Sequence, residues 1–275
     1  MTVLRYTAFS ADPAGGNPAG VVLDARKLDD AAMQAIAAEV GYSETAFLTE
    51  GRDGPVIPVR YFAPTSEVPF CGHATVATAV ALGAGEWTFS TAAGLVPVLV
   101  EPAEGGLRAT LTSVEPYVEA VDDLGDVLEI LGWRADELDP ALPPYVAYAG
   151  ARHLVLAVAG RERLAALAYD FDRLLAYMQE RELTTLQLVW RESAEVFHVR
   201  NPFPVGGVVE DPATGAAAAA FGAYLRELKL VEPPVTVLLH QGDDMGRPSR
   251  IQVELRPGDT RVRVSGTAVP ITGLA

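Results

Sequence analysis

Two short segments share the pattern E-x-P-x-x-G-x-A, one beginning at Glu67 and the other at Glu210, and each leads into a run of small residues. The first turn of a helix exposes unpaired N–H groups and the positive end of the helix dipole, so it can bind an anion. A glycine there lets a ligand approach the backbone closely. Gly72 and Gly215 are therefore candidate binding residues for a small acidic ligand, unless both helices are simply tightly packed core helices.

Few side chains near these two helix starts can do chemistry. His73 lies in the first turn of the first helix, where its ring is expected to face the ligand. Asp211 precedes the second helix and is either its N-cap or a group that positions a substrate. Ala216, in the first turn of the second helix, offers only its backbone N–H. Glu67 and Glu210 are expected to cap the helices or to complement their dipoles.

Glu44 is the candidate acid and base. It lies in the segment Gly-Tyr-Ser-Glu-Thr-Ala-Phe, where a predicted helix gives way to a strand. A glutamate in such a turn is ordinarily solvated. If the strand instead runs beside the ligand, the carboxylate is partly desolvated and can both take and return a proton.

The elements that must position these residues form two similar halves. Each half has several strand-like runs and one helix of small apolar residues, at Gly72–Leu82 in the first half and at 215–229 in the second. Arg60 and Arg200 precede the two motifs in a corresponding way. These matches indicate an internal duplication, unless common residues match by chance. A helix made of Ala, Thr, Val and Gly suits the axis of a curled sheet, where side chains have little room.

A length of 275 residues suits two domains rather than one. The acidic segment 113–123 contains a proline and lacks a clear period, which is typical of a linker. We therefore expect an N-terminal domain over 1–117, completed by the C-terminal segment 265–275, and a second domain over 118–264.

The composition excludes several classes of function. The formal charge is −15, without a basic run, so a nucleic acid would be repelled. The single cysteine excludes an intramolecular disulfide and a cysteine-based metal cluster. The four histidines are far apart, and nucleotide-binding and zinc-protease motifs are absent, so neither a metal nor another cofactor is expected. The apolar runs are too short for a membrane span and the N-terminus does not read as a signal peptide, which predicts a cytoplasmic protein.

Four segments together resemble the phenazine-biosynthesis (PhzF-like) isomerase family, and they span nearly the whole chain. In chain order they are GNPAGVVL, SETAF, FAPTSEVPFCGHAT and EDPATG. The resemblance implies the α/β fold of diaminopimelate epimerase: two pseudo-symmetric domains, each a curled, mostly antiparallel sheet around a central helix, with the active site between them.

The resemblance also implies cofactor-free isomerisation of a small carboxylic acid. On the matching positions Glu44 shuttles the proton, while His73 and Asp211 bind and orient the substrate. Family members commonly carry a serine where this chain has Ala216, so a hydroxyl that could bind substrate is missing. This departure puts the phenazine-pathway substrate in doubt and leaves a catalytically silent, small-molecule-binding homologue as the alternative. A homodimer is compatible with the resemblance.

A racemase of the same fold that uses two thiols is a further alternative. Such an enzyme needs one thiol from each half, and the equivalent positions here hold Cys71 and Thr214. A threonine hydroxyl cannot be deprotonated usefully near pH 7, which excludes a two-thiol mechanism. The sequence therefore favours isomerisation by one base.

Overall fold

The computed structural model describes residues 2–51 and 54–272. The chain separates into two compact units. The first contains the residues up to Thr112 together with the segment from Ser265 onward, and the second is Ser113–Val264. No helix in these described ranges is long and apolar enough to cross a membrane.

The strands, in chain order, are β1 (Leu4–Ala8), β2 (Asn17–Val22), β3 (Glu44–Leu48), β4 (Ile57–Phe62), β5 (Glu67–Val68), β6 (Gly85–Thr91), β7 (Gly94–Ala103), β8 (Gly106–Thr112), β9 (Tyr117–Ala120), β10 (Tyr145–Tyr148), β11 (Arg152–Val158), β12 (Thr185–Arg191), β13 (Val196–Pro202), β14 (Glu210–Asp211), β15 (Val235–Gln241), β16 (Ser249–Leu255) and β17 (Arg263–Pro270). The helices are α1 (Asp30–Val40), α2 (Gly72–Leu82), α3 (Gly125–Leu131), α4 (Arg161–Ala165), α5 (Phe171–Glu180) and α6 (Gly215–Glu227).

The strands of the first unit close into a barrel. The pairs β1–β2, β3–β4, β6–β7, β7–β8 and β17–β1 are antiparallel, whereas β2–β3 and β4–β6 are parallel. Pairing of β8 with β17 completes the ring, and the two-residue strand β5 pairs with β4. A closed sheet leaves no unpaired strand edge around its circumference.

Helix α2 packs against five strands of this barrel. It packs on β1, β2, β3, β7 and β8, and its residues from His73 to Val80 are all buried. Small side chains are needed because strands surround the helix. The hydroxyls of Thr75 and Thr78 donate to the carbonyl oxygens of Cys71 and Ala74, at 2.6 and 2.7 Å, which satisfies them in an apolar interior.

The second unit repeats this plan. The pairs β9–β10, β10–β11, β12–β13 and β15–β16 are antiparallel, β11–β12 and β13–β15 are parallel, and the short strand β14 pairs with β13. Helix α6 packs on β9, β10, β11, β12 and β16. These six successive pairs therefore match, in order and direction, the pairs of the first unit from β17–β1 to β6–β7. The predicted duplication into two mostly antiparallel sheets, each around a central helix, is confirmed.

The predicted linker over 113–123 contains a strand. This strand, β9, pairs with β10 in the second sheet, and the second unit begins at Ser113. The predicted boundary after residue 117 therefore falls inside a strand. Strand β10 and helix α5 were not predicted from the sequence. In α5 the buried side chains Leu174 and Met178 pack into the same apolar core as Leu154 on the sheet.

Candidate active site

Glu44 and His73 meet in the first unit although they are 29 positions apart in the chain. Glu44 is the first residue of β3, and His73 is the second residue of α2. Glu44 Oε2 lies 3.3 Å from His73 Nε2, and both side chains are largely buried, with exposed fractions of 15% and 7%. Among the described residues this oxygen has no hydrogen-bond partner, so the contact is electrostatic rather than a formed hydrogen bond.

Local sequence explains why Glu44 is placed there. Asp29 caps the N-terminus of helix α1, and its carboxylate accepts a hydrogen bond from the Ala32 N–H at 2.8 Å. The helix ends at Gly41, which has a φ of 69°. A residue with a Cβ is strained in that left-handed conformation, and glycine allows the chain to turn directly into β3. The register of β2 and β3 then sets Glu44 beside Ala19.

Two further side chains orient the His73 ring. Asn17 Nδ2 lies 3.1 Å from His73 Nδ1, and Ser43 Oγ lies 3.2 Å from His73 Nε2. Because an amide nitrogen can only donate, the placement of Asn17 Nδ2 assigns Nδ1 as the acceptor and the ring proton to Nε2. In this tautomer the N–H of His73 is on the side of Glu44 and Ser43. The imidazole can therefore donate to a ligand, or to a carboxylate, beside Glu44.

Cys71 completes the group of reactive side chains in the first unit. It is the N-cap residue of α2 and is buried, and its side chain makes no capping hydrogen bond. Its Sγ lies 3.4 Å from His73 Nδ1 and 3.8 Å from His73 Nε2. A thiol, an imidazole and a carboxylate thus lie together at one helix start.

In the second unit a hydrogen-bonded loop holds Asp211. The hydroxyl of Thr214 donates to Asp211 Oδ2 at 2.6 Å. The buried side chain of Gln241 donates to the backbone oxygen of Asp211 at 2.8 Å and accepts from the Thr214 N–H at 2.9 Å. The N-cap residue of α6 is Thr214, not Asp211. The geometry therefore excludes the N-cap role for Asp211, and the ligand-positioning role stays a prediction.

The expectation that Glu67 and Glu210 cap their helices is wrong. Glu67 accepts two hydrogen bonds from Arg60, at 2.7 and 2.6 Å, and Glu210 accepts two from Arg200, at 2.9 and 2.5 Å. In both repeats the pair joins the short strand before the helix to the preceding long strand. These glutamates therefore fix the loop that leads into the helix, and are not free to bind a ligand.

The two repeats carry different reactive side chains at equivalent positions. Arg60 pairs with Phe47, and the equivalent Arg200 pairs with Leu188, so Glu44 corresponds to Thr185. The hydroxyl of Thr185 is hydrogen-bonded to His153 Nδ1, at 2.8 Å. Full burial lowers the pKa of His153 to about 3, so its ring is neutral near pH 7. The second repeat therefore has no carboxylate at the position of Glu44.

The other candidate residues fit this asymmetry. His73 and Cys71 of the first repeat correspond to Ala216 and Thr214 of the second. At Gly72, a Cβ would meet no atom closer than Phe70 Cε1 at 4.0 Å, which leaves room beside the start of α2. Gly215 is the first residue of α6. The first unit thus holds a carboxylate and an imidazole at its helix start, and the second holds a helix start without them, beside Asp211.

Asn17, Ser43 and Gln241 were not singled out by the sequence analysis. Asn17 and Ser43 both lie inside segments that carry the family resemblance, and this was an available signal. Gln241 lies at the end of a strand outside every motif, so only the structure reveals its contact with the loop after Asp211.

The duplicated sheet and central helix define a protein of the racemase and epimerase fold. The structure is similar to that of a probable proline racemase from Agrobacterium radiobacter K84, with a TM-score of 0.67 and 13% identity, over 97% of this chain and 90% of that one. The predicted fold class is confirmed.

The family follows from the sequence. The family model described as phenazine biosynthesis-like protein (PhzC-PhzF) matches residues 6–273, and the chain belongs to this family. It is 32% identical to a trans-2,3-dihydro-3-hydroxyanthranilate isomerase from Pseudomonas fluorescens, over 95% of this chain and 94% of that protein. Other curated relatives are also named isomerases. A Bacillus anthracis phenazine biosynthesis protein of the PhzF family has a similar crystal structure, with a TM-score of 0.88 and 26% identity, over 98% of this chain and 96% of that one.

Proposed function

We propose that this protein is a cofactor-independent isomerase that moves a proton within a small substrate bearing a carboxylate. Glu44 removes the proton from a carbon made acidic by a neighbouring carbonyl or conjugated system, and returns it elsewhere on the same molecule. One carboxylate suffices when both carbons lie on one face of a planar substrate. His73 donates a hydrogen bond to the substrate from Nε2.

The observation that carries this proposal is the Glu44 oxygen that has no hydrogen bond. A buried carboxylate oxygen without a hydrogen bond is costly, and such groups are found where a site is arranged for a ligand or for chemistry. Glu44 Oε2 is in this condition, 3.3 Å from an imidazole that Asn17 and Ser43 orient. The position of Glu44 in the other repeat holds Thr185, which supports a mechanism with one base.

Substrate binding is assigned to both helix starts. The N–H groups near Gly72 and Gly215 are proposed to bind carboxylate oxygens, and the space beside Gly72 supports this role. Asp211 is proposed to hold an amino or hydroxyl group of the substrate. At Ala216 only the backbone N–H contributes, so a substrate that depends on a serine hydroxyl at this position binds less well.

Deuterium exchange tests the role of Glu44. The first substrate to test is trans-2,3-dihydro-3-hydroxyanthranilate, on which the Pseudomonas fluorescens relative acts, followed by related cyclic carboxylic acids. The wild type is expected to incorporate solvent deuterium at carbon, which NMR detects. Glu44→Gln retains the shape but cannot accept a proton, and is expected to exchange about 10²–10⁴-fold more slowly with little change in binding.

Glu39→Gln is the matched control, because Glu39 is exposed on α1 of the same unit. It is expected to exchange at the wild-type rate. Equal rates in the wild type and in Glu44→Gln would show that the base lies elsewhere.

The loss of the family serine at Ala216 favours a second candidate, a binding protein without turnover. This alternative predicts saturable binding of a carboxylic acid, measured by calorimetry, without deuterium exchange in the wild type. Exchange of any bound carboxylic acid that depends on Glu44 contradicts it.

A further inference from the structure

Three chemically different metal ligands converge at the start of α2. Glu44, Cys71 and His73 each offer one ligand atom, and these three atoms lie within 4.8 Å of one another. Sequence spacing gives no sign of this group, because Glu44 lies on a different element and the chain has no second histidine near His73. The fold alone creates the cluster.

The separation of the nitrogen and oxygen ligands suits a tetrahedral ion. With bonds of about 2.0 Å to nitrogen or oxygen and about 2.3 Å to sulfur, a tetrahedral zinc ion holds its nitrogen and oxygen ligands about 3.3 Å apart, and its nitrogen and sulfur ligands about 3.5 Å apart. His73 Nε2 lies 3.3 Å from Glu44 Oε2, whereas Cys71 Sγ lies 3.8 Å from Nε2 and 3.4 Å from Nδ1. Glu44 and His73 therefore already have the spacing of two ligands, and the Cys71 side chain has to rotate away from Nδ1 to bind the same ion.

The surroundings also suit a bound cation. Glu44 Oε2 has no hydrogen-bond partner within the described part of the chain, so a cation would bind an acceptor that these residues leave without a hydrogen bond. The Glu44 side chain is 15% exposed, which leaves a path to solvent. Binding through Nε2 moves the ring proton of His73 to Nδ1, so the contact that Asn17 Nδ2 makes with Nδ1 at 3.1 Å has to be given up.

We propose that Glu44, Cys71 and His73 form a binding site for a soft divalent cation, Zn²⁺ above all, and that the bound cation inhibits the protein. Thiolate, imidazole and carboxylate form a ligand set typical of zinc, with the fourth position open to water or another ligand. Binding releases the thiol proton of Cys71 to solvent. Because the cation occupies the oxygen of Glu44, it prevents proton transfer; this inhibitory part rests on the proposed function.

Cobalt spectroscopy tests the binding part without any substrate. Cys71 is the single cysteine of the sequence, so a near-ultraviolet sulfur-to-cobalt charge-transfer band can arise only from this site. Titration of the metal-free protein with Co²⁺ is expected to produce this band together with the intense visible bands of tetrahedral cobalt. One equivalent of Zn²⁺ is expected to abolish both.

Variants separate this site from a second cluster formed by His198, His240 and Asp243. Cys71→Ser is expected to lose the charge-transfer band, and His73→Ala to weaken Co²⁺ binding at least about tenfold, with circular dichroism confirming that both are folded. His198→Ala is expected to leave the band unchanged. Absence of the band in the folded wild type, or its persistence in Cys71→Ser, would overturn the site.

The inhibitory part has a separate readout. Zn²⁺ is expected to suppress deuterium exchange in the wild type, and a chelator is expected to restore it, whereas Cys71→Ser is expected to need at least about tenfold more Zn²⁺. Exchange that continues at saturating Zn²⁺, with the cobalt bands present, would overturn the inhibition while leaving the metal site intact. A wild type that binds Co²⁺ but exchanges no substrate would count against the proposed function alone.

Discussion

The two repeats contain the same arginine–glutamate pair in different environments, which allows one repeat to serve as the control for the other. Arg200 and Glu210 are 11% and 4% exposed, and Arg60 and Glu67 are 31% and 38% exposed. In both pairs Nε and a terminal nitrogen of the arginine donate to the two carboxylate oxygens. The geometry of the pair is therefore shared, whereas burial differs and Arg60 also donates to a second carboxylate, Asp30, at 2.6 Å.

Glu210→Gln is expected to cost far more stability than Glu67→Gln. Removing one partner of a buried pair costs about 3–5 kcal/mol, because an uncompensated charge stays buried, whereas an exposed pair contributes about 0.2–1 kcal/mol. Arg200 cannot easily move to solvent, since it also donates to the backbone oxygen of Ala165 at 2.8 Å. Glutamine keeps one acceptor, so we expect about 3 kcal/mol for Glu210→Gln and less than about 1 kcal/mol for Glu67→Gln.

Calorimetric unfolding of the two variants beside the wild type measures this difference. At about 2–4 °C per kcal/mol for a domain of this size, Glu210→Gln is expected to unfold about 6–12 °C below the wild type. Glu67→Gln is expected to lie within about 4 °C of the wild type. Equal shifts in the two variants would refute the reasoning, because they would show that burial does not set the contribution of the pair.

Two further predictions concern packing and pH. Gly222→Ala places a Cβ 2.6 Å from Val253 Cγ1 and is expected to lower the free energy of unfolding by about 1–3 kcal/mol in urea titrations. At Gly160 a new Cβ meets nothing within 4 Å, so Gly160→Ala should lower it by less than about 1 kcal/mol. Similar losses in the two variants would contradict the packing argument. The Arg60 guanidinium lowers the pKa of the Glu67 carboxyl, so the stability from this pair is present above the unfolded pKa of 4.5 and is lost as the pH falls through the lower folded value. Arg60→Met should therefore reduce the stability lost between about pH 6 and about pH 3 by up to about 1 kcal/mol, and an unchanged loss would argue against it.

The sequence by itself determined the family, the fold class and the elements whose signals are local. Helix α2 was predicted with its observed bounds, because a run of small residues without proline stops at a glycine that no longer supports the helix. The duplication was visible because the two motifs begin the same helix in each half. Glu44, His73 and Asp211 were identified through the motifs that contain them, and their catalytic and binding roles remain proposals.

Contacts between distant residues were decided only by the tertiary structure. Strand β9 has few strand signals of its own and exists because β10 pairs with it. The motif glutamates bind arginines on neighbouring strands and not the helices that follow them, since strand pairing brings Arg60 and Arg200 within reach. Likewise, the approach of Glu44 to His73 depends on where β3 meets α2. No local pattern encodes that distance, because strand register and burial arise from packing across the whole unit.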